Sequence, residues 1–113
     1  MAYIDNKMPI IALSTAADIL NIKQRTLRMY EEKKLLPSHN GTVKKLYSLN
    51  DMRLIGLVHY LAAYKRINAN GVRFIIDELF PKLKESEKEE YYKEAEMELG
   101  SKEDSQEIEL EKF

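Results

Sequence analysis

The chain has 113 residues, 44% of them hydrophobic, with 4 Gly and 3 Pro, which is room for one domain or for one domain and a tail. It has no Cys, which excludes disulfides, thiolate catalysis and Cys-based metal centres. No apolar run is long enough for a membrane helix and no secretory signal opens the chain, so the expectation is a cytoplasmic protein with no membrane partner.

The formal net charge of −1 conceals a division: residues 1–80 carry 12 Lys and Arg against 7 Asp and Glu, and residues 81–113 carry 6 Lys against 12 acids. A basic head on an acidic tail is a charge pattern of polyanion binders, nucleic-acid binders above all.

Residues 1–9 lack periodicity and read as a flexible arm. Residues 10–13 read as a short strand or a bridge into the first helix. Ser14 is a good N-cap residue, and Ala16, Ala17, Ile19 and Leu20 fit one face of a short helix. Asn21, tolerant of the left-handed conformation, ends that helix, and Ile22 anchors the turn. Residues 23–32 predict a second helix, with Leu27 and Tyr30 inward and Lys23, Gln24, Arg25 and Arg28 outward. Two short helices about a tight turn, the second basic, describe a helix-turn-helix.

Leu35-Leu36-Pro37 closes that unit, because Pro37 disfavours helix at Leu36. Asn40-Gly41 is a two-residue hairpin signal. Residues 43–47 predict its returning strand, with Lys44 and Lys45 close to the tip, so the hairpin reads as a small basic wing. Ser48 and Asp51 have capping-box spacing and predict the start of a third helix. Its core stripe is Leu54, Leu57, Val58 and Leu61. Residues 67–71 break the pattern, and Val72, Ile75, Ile76 and Leu79 predict a fourth helix packing back. Pro81 suits the first turn of a fifth segment. Residues 82–99 have good helix propensity but a thin stripe of Leu83, Tyr92, Ala95 and Leu99. Gly100 is a stop, and the charged residues 101–113 predict disorder.

The run Arg25-Thr26-Leu27-Arg28, then Tyr30-Glu31, Leu35-Leu36-Pro37, Lys45-Leu46-Tyr47-Ser48 and Asp51 resembles the DNA-binding domain of the MerR family of bacterial transcription regulators. The resemblance covers about residues 10–79, with Ala17 and Ile22 at the packing positions of the first two helices. Ile67-Asn68-Ala69-Asn70-Gly71-Val72 is similar to a stretch of the heat-shock repressor (HspR-like) branch, although Asn70 departs from it. Two further departures count. Lys45 stands at a wing position where the family usually has Arg, which removes the bidentate fork. Met29 stands where many members carry an aromatic residue.

The expected fold is mostly α: a winged helix-turn-helix of four helices and a small β-hairpin over residues 10–80, a short fifth helix over 81–100 for dimerisation, and an acidic tail over 101–113. Arg25 and Arg28 suit bidentate contact with guanine O6 and N7, and Gln24 with adenine. Lys23, Lys44 and Lys45 suit phosphates. Tyr30 is expected to pack its ring in the core and present its hydroxyl to phosphate. Tyr47 joins the DNA-contacting set while packing between the wing and the third helix. His39 and His59 lack partners at metal-ligand spacing, and no nucleophile or acid–base pair stands out, so neither a metal, a cofactor nor an enzyme activity is expected.

The resemblance implies a homodimer reading an inverted repeat in double-stranded DNA, most simply as a repressor. An excisionase-like architectural factor using the same winged helix is the alternative. With no effector domain expected after residue 113, control would come through occupancy, temperature or a regulatory protein partner. The tethered acidic tail is a potential competitor for the basic head.

Overall fold

The structure is a computed structural model in which residues 6–37, 46–101 and 113 are described. Among these the order is β1 (Ile11–Ala12), α1 (Leu13–Leu20), α2 (Gln24–Glu32), β2 (Leu46–Tyr47), α3 (Leu49–His59), α4 (Ala69–Phe74) and α5 (Glu85–Ser101). Wide π turns extend α3 through Tyr60–Tyr64 and α4 through Ile75–Leu79, and a 3-10 turn over Phe80–Lys82 leads toward α5. The fold is mostly helical with one small antiparallel sheet, as expected.

That sheet joins distant parts of the chain. Ile11 pairs with Tyr47 and Ala12 with Leu46, so the returning wing strand is zipped to the segment that precedes α1. Farther back, the Asn6 carbonyl accepts the Asn50 amide at 3.0 Å. Asn6 is thereby tied to the start of α3. The same pairing corrects the first cap. β1 runs straight into α1, Ala12 stands at the N-cap with no side-chain hydrogen bond, and Ser14 lies one residue inside the helix, exposed.

Local turn chemistry governs the other joints. Asn21 takes left-handed geometry at φ 55°, and the Ile22 amide returns to the Ala17 carbonyl at 2.9 Å. Lys34, at φ 62°, does the same after α2, and the Leu35 amide reaches the Tyr30 carbonyl at 2.9 Å. The capping box of α3 is complete: Ser48 Oγ accepts the Asp51 amide at 3.0 Å and Asp51 Oδ2 accepts the Ser48 amide at 2.8 Å.

Before α4, Asn68 Oδ1 accepts the Gly71 amide at 2.8 Å. A Cβ at position 71 would stand 2.6 Å from Ile67 Cγ2, so glycine is what lets this cap close. The pattern break expected over 67–71 is thus shorter, because the cap starts α4 at Ala69.

The core centres on α3, which is buried nearly all round: Met52, Ile55, Gly56, Leu57, Val58 and His59, then Tyr60, Leu61, Ala62 and Ala63. A single stripe of four residues understates this burial, because α1 and α2 cover one side and α5 the other. α5 comes closest at Gly56, whose added Cβ would meet Leu99 Cδ1 at 3.5 Å. The stripe of α4 is only half used: Val72 is buried, Ile75 and Ile76 are partly covered, and Leu79 is exposed.

Candidate nucleic-acid interface

α2 has two unlike faces. Leu27 and Tyr30 are fully buried and Met29 nearly so, packed in the core formed by α1, α3 and Leu35. Lys23, Gln24, Arg25 and Arg28 are all exposed on the opposite side. Lys23 is the N-cap residue, so its side chain stands at the mouth of the turn, with Gln24, Arg25 and Arg28 in the first turns behind it. Arg28 Nη2 lies 3.5 Å from Gln24 Oε1, one helical turn away, a long contact that leaves both ends accessible. Arginines three apart on one helix share a face, the arrangement that admits both to one groove.

The start of α1 adds a second element. Ala12, Leu13, Ser14, Arg28, Glu31 and Glu32 line a shallow concavity of about 410 Å³. The N-cap Ala12 gives the first-turn amides of α1 no side-chain cap there, and the positive end of a helix dipole favours an anion. Glu31 and Glu32 on the far rim limit the side from which an anion enters. The sequence reading missed this feature because it assigned Ser14 to the cap. It also passed over Lys33 and Lys34, both exposed just past α2. Arg73 of α4 braces that end, its Nη2 donating to the Lys33 carbonyl.

Both tyrosines have their rings in the core, as the sequence suggested, and their hydroxyls bond to protein groups. Tyr30 is fully buried, and its hydroxyl shares a 2.6 Å hydrogen bond with His59 Nδ1. The expected phosphate contact of that hydroxyl is corrected: α3 places a buried imidazole opposite it, and an enclosed polar pair must satisfy itself. Tyr47 is also buried, at 2% exposure, and its hydroxyl donates to Glu31 Oε2 at 3.4 Å. Burial first, and the Glu31 charge second, push its pKa up to about 12. It ties the root of the wing to α2. Lys44, Lys45 and His39 lie outside the described residues.

His59 is thus a core residue, with its ring 5.8 Å from that of Tyr30 and 6.1 Å from that of Tyr64. Among the described residues no group of three His, Asp or Glu is placed to hold a metal. No helix among them is long and apolar enough to cross a membrane.

α5 lies against α3 of its own chain. Ala95 is buried and Tyr92 and Leu99 are partly so. Arg53 of α3 donates to both oxygens of Glu89 at 2.8 and 2.9 Å and to Glu96 at 2.8 Å. Its guanidinium also lies 4.6 Å from the Tyr92 ring centroid. Tyr60 adds a hydrogen bond to Glu94 at 3.0 Å. The Arg53 bonds hold the Glu89 carboxyl below its usual range. The thin stripe expected to dimerise is therefore engaged inside the monomer.

Residues 11–79 match the family described as MerR HTH family regulatory protein. No curated protein and no solved structure gives a significant match. The matched stretch runs from β1 to the end of the α4 π turn and covers more than half of the chain. With its helix-turn-helix buried on one face and basic on the other, the chain belongs to the MerR family of helix-turn-helix regulatory proteins, which regulate transcription by binding DNA.

Proposed function

We propose that the protein is a sequence-specific repressor of the heat-shock (HspR-like) branch that reads an inverted-repeat operator as a homodimer. The observation that carries this is the outward set of Lys23, Gln24, Arg25 and Arg28 on a helix whose opposite face is locked in the core. α2 enters the major groove, with Arg25 and Arg28 at base edges and Lys23 on phosphate. The first-turn amides of α1 take a flanking phosphate beside Arg28. Lys44 and Lys45 of the wing neutralise the adjoining backbone.

With the α5 stripe turned inward, the exposed Met97 of α5 and Phe74 and Leu79 of α4 are apolar side chains available for the twofold contact. Light scattering with and without operator tests the dimer, and a monomer in both states would sink it.

The deciding experiment selects bound duplexes from a random pool and measures affinity against salt. A dimer making about 6–10 phosphate contacts loses roughly 10³–10⁵ in affinity between 50 and 200 mM salt. Arg25→Ala or Arg28→Ala costs about 1–3 kcal/mol, with relaxed specificity at one base, for whichever arginine reads guanine. Unchanged duplex affinity in both variants would overturn the proposal in favour of a protein-docking role for the head.

A further inference from the structure

α2 is fixed on its inner face by Leu27, Met29 and Tyr30, all buried. Apolar packing is not directional, so it sets how deep the helix lies better than how it is tilted. The exit end of α2 is held differently. The carbonyls of Met29, Glu31 and Tyr30 accept the amides of Lys33 at 3.0 Å, Lys34 at 2.9 Å and Leu35 at 2.9 Å, closing the left-handed turn at Lys34. The carbonyl of Lys33, the C-cap residue, accepts from another helix: Arg73 Nη2 of α4, 40 residues away in sequence, donates to it. A guanidinium suits that place, because its charge faces the negative end of the helix dipole.

Arg73 is itself carried on a firm base. Asn68 caps the start of α4, and Val72, the neighbour of Arg73, is fully buried. The Arg73 side chain is half-buried, and its Nε is enclosed with no partner among the described residues. Its stem is therefore packed rather than swinging through solvent. An enclosed, unpaired donor costs free energy, and the charge-assisted bond to Lys33 offsets that cost.

We infer that Arg73 is a positioning residue for the DNA-reading surface: by pinning Lys33 at the exit of α2 to α4, it sets the tilt at which Arg25 and Arg28 meet a duplex. This role rests on the proposed DNA binding by α2. A tilt of about 5° about Lys33 moves the backbone at Arg25, ~12 Å along the helix, by ~1 Å. A side chain that reads a base edge must be placed within about 0.5 Å, so such a tilt breaks a bidentate contact. Phosphate contacts carry no sequence information and are far less exacting. The pin therefore acts on specificity more than on affinity for duplex DNA at large.

Arg73→Met keeps most of the stem and removes the donor, whereas Arg73→Lys keeps a donor and the charge. Without DNA, Arg73→Met should speed hydrogen exchange at the Lys34 and Leu35 amides about threefold or more and leave α5 unchanged. With DNA, it should lose about fivefold or more of the preference for the selected duplex over a mixed-sequence one, the worth of one bidentate base contact. The slope of affinity against salt should stay that of the wild type, and Arg73→Lys should recover most of the preference. Unchanged exchange in Arg73→Met, or an Arg73→Lys variant as impaired as Arg73→Met, overturns the pin. Faster exchange with unchanged preference overturns the positioning role and leaves Arg73 a brace for the turn. Equal loss on both duplexes, with a salt slope smaller by about one, makes Arg73 a phosphate contact and overturns it too. If the wild type binds neither duplex while exchange still responds to Arg73→Met, the DNA-binding role of α2 fails and the pin between the helices stands.

Discussion

α2 and α5 are both rich in charge, yet they hold to the body in opposite ways. α2 is fastened from behind by Leu27, Met29 and Tyr30, all buried, and its charges are turned outward. α5 buries Ala95, partly buries Tyr92 and Leu99, and gathers the Glu89 and Glu96 carboxylates on Arg53 at its rim. The first arrangement leaves Arg25 and Arg28 exposed on the outer face. The second spends its charges on attachment and is open to salt and pH. A rigid reading surface and a detachable cover are the expected consequences.

The comparison is broken most severely at Leu27. Leu27→Ala should cost about 2–5 kcal/mol in chemical denaturation, because the site is fully enclosed and cannot collapse easily. A cost well below that range would mean that α2 is not held by its inner face. Tyr30→Phe comes next. It removes the buried hydrogen bond to His59 Nδ1, at a cost of about 1–3 kcal/mol. In a His59→Leu background the same substitution should cost far less, and equal costs in both backgrounds would show that the pair is not coupled.

Alkaline titration probes the wing root. Tyr47 has its pKa raised from 10.0 to about 12 in the fold. Between those values the folded protein holds a proton that the unfolded chain has released, so stability falls as pH rises through the window, by ~3 kcal/mol at most. Tyr47→Phe should flatten that slope relative to the wild type, and an unchanged slope would remove Tyr47 as its source.

The smallest effect is expected at the clasp. Arg53→Ala should raise amide exchange in α5 about two- to fivefold and leave α2 untouched, since exposed ion pairs are weak and screened. Acid should do the same. The Glu89 carboxyl is held below its usual range by Arg53, so its contribution is present above that range and is lost as pH falls through the depressed value. If α2 frays together with α5 in either case, the two helices are not independent.

Much of this molecule was legible from short-range signals. The left-handed turn at Asn21, the Ser48–Asp51 box and the outward placing of Lys23, Gln24, Arg25 and Arg28 each depend on residues within one or two turns. Ser14 misled because its cap value is real only where a helix begins after it, and β1 moved that beginning forward. Tyr30 misled because the amphipathic ring is compatible with either a wet or a buried hydroxyl. Only His59, 29 residues away, decides between them. Met29 escaped notice because periodicity alone does not say how wide the buried face of a short helix is.

The amino-acid order by itself determined the helix-turn-helix, its basic outer face and the division into a basic head and an acidic end, because spacing, caps and composition act along the chain. Tertiary structure alone decided that the Tyr30 hydroxyl meets His59 and that of Tyr47 meets Glu31, that β2 pairs with β1, that Arg53 gathers α5 onto α3 and that Phe113 comes to rest behind α2. Each of these joins residues far apart in sequence. Their partners are set by what shares a core or a surface after folding, and no local pattern encodes that proximity.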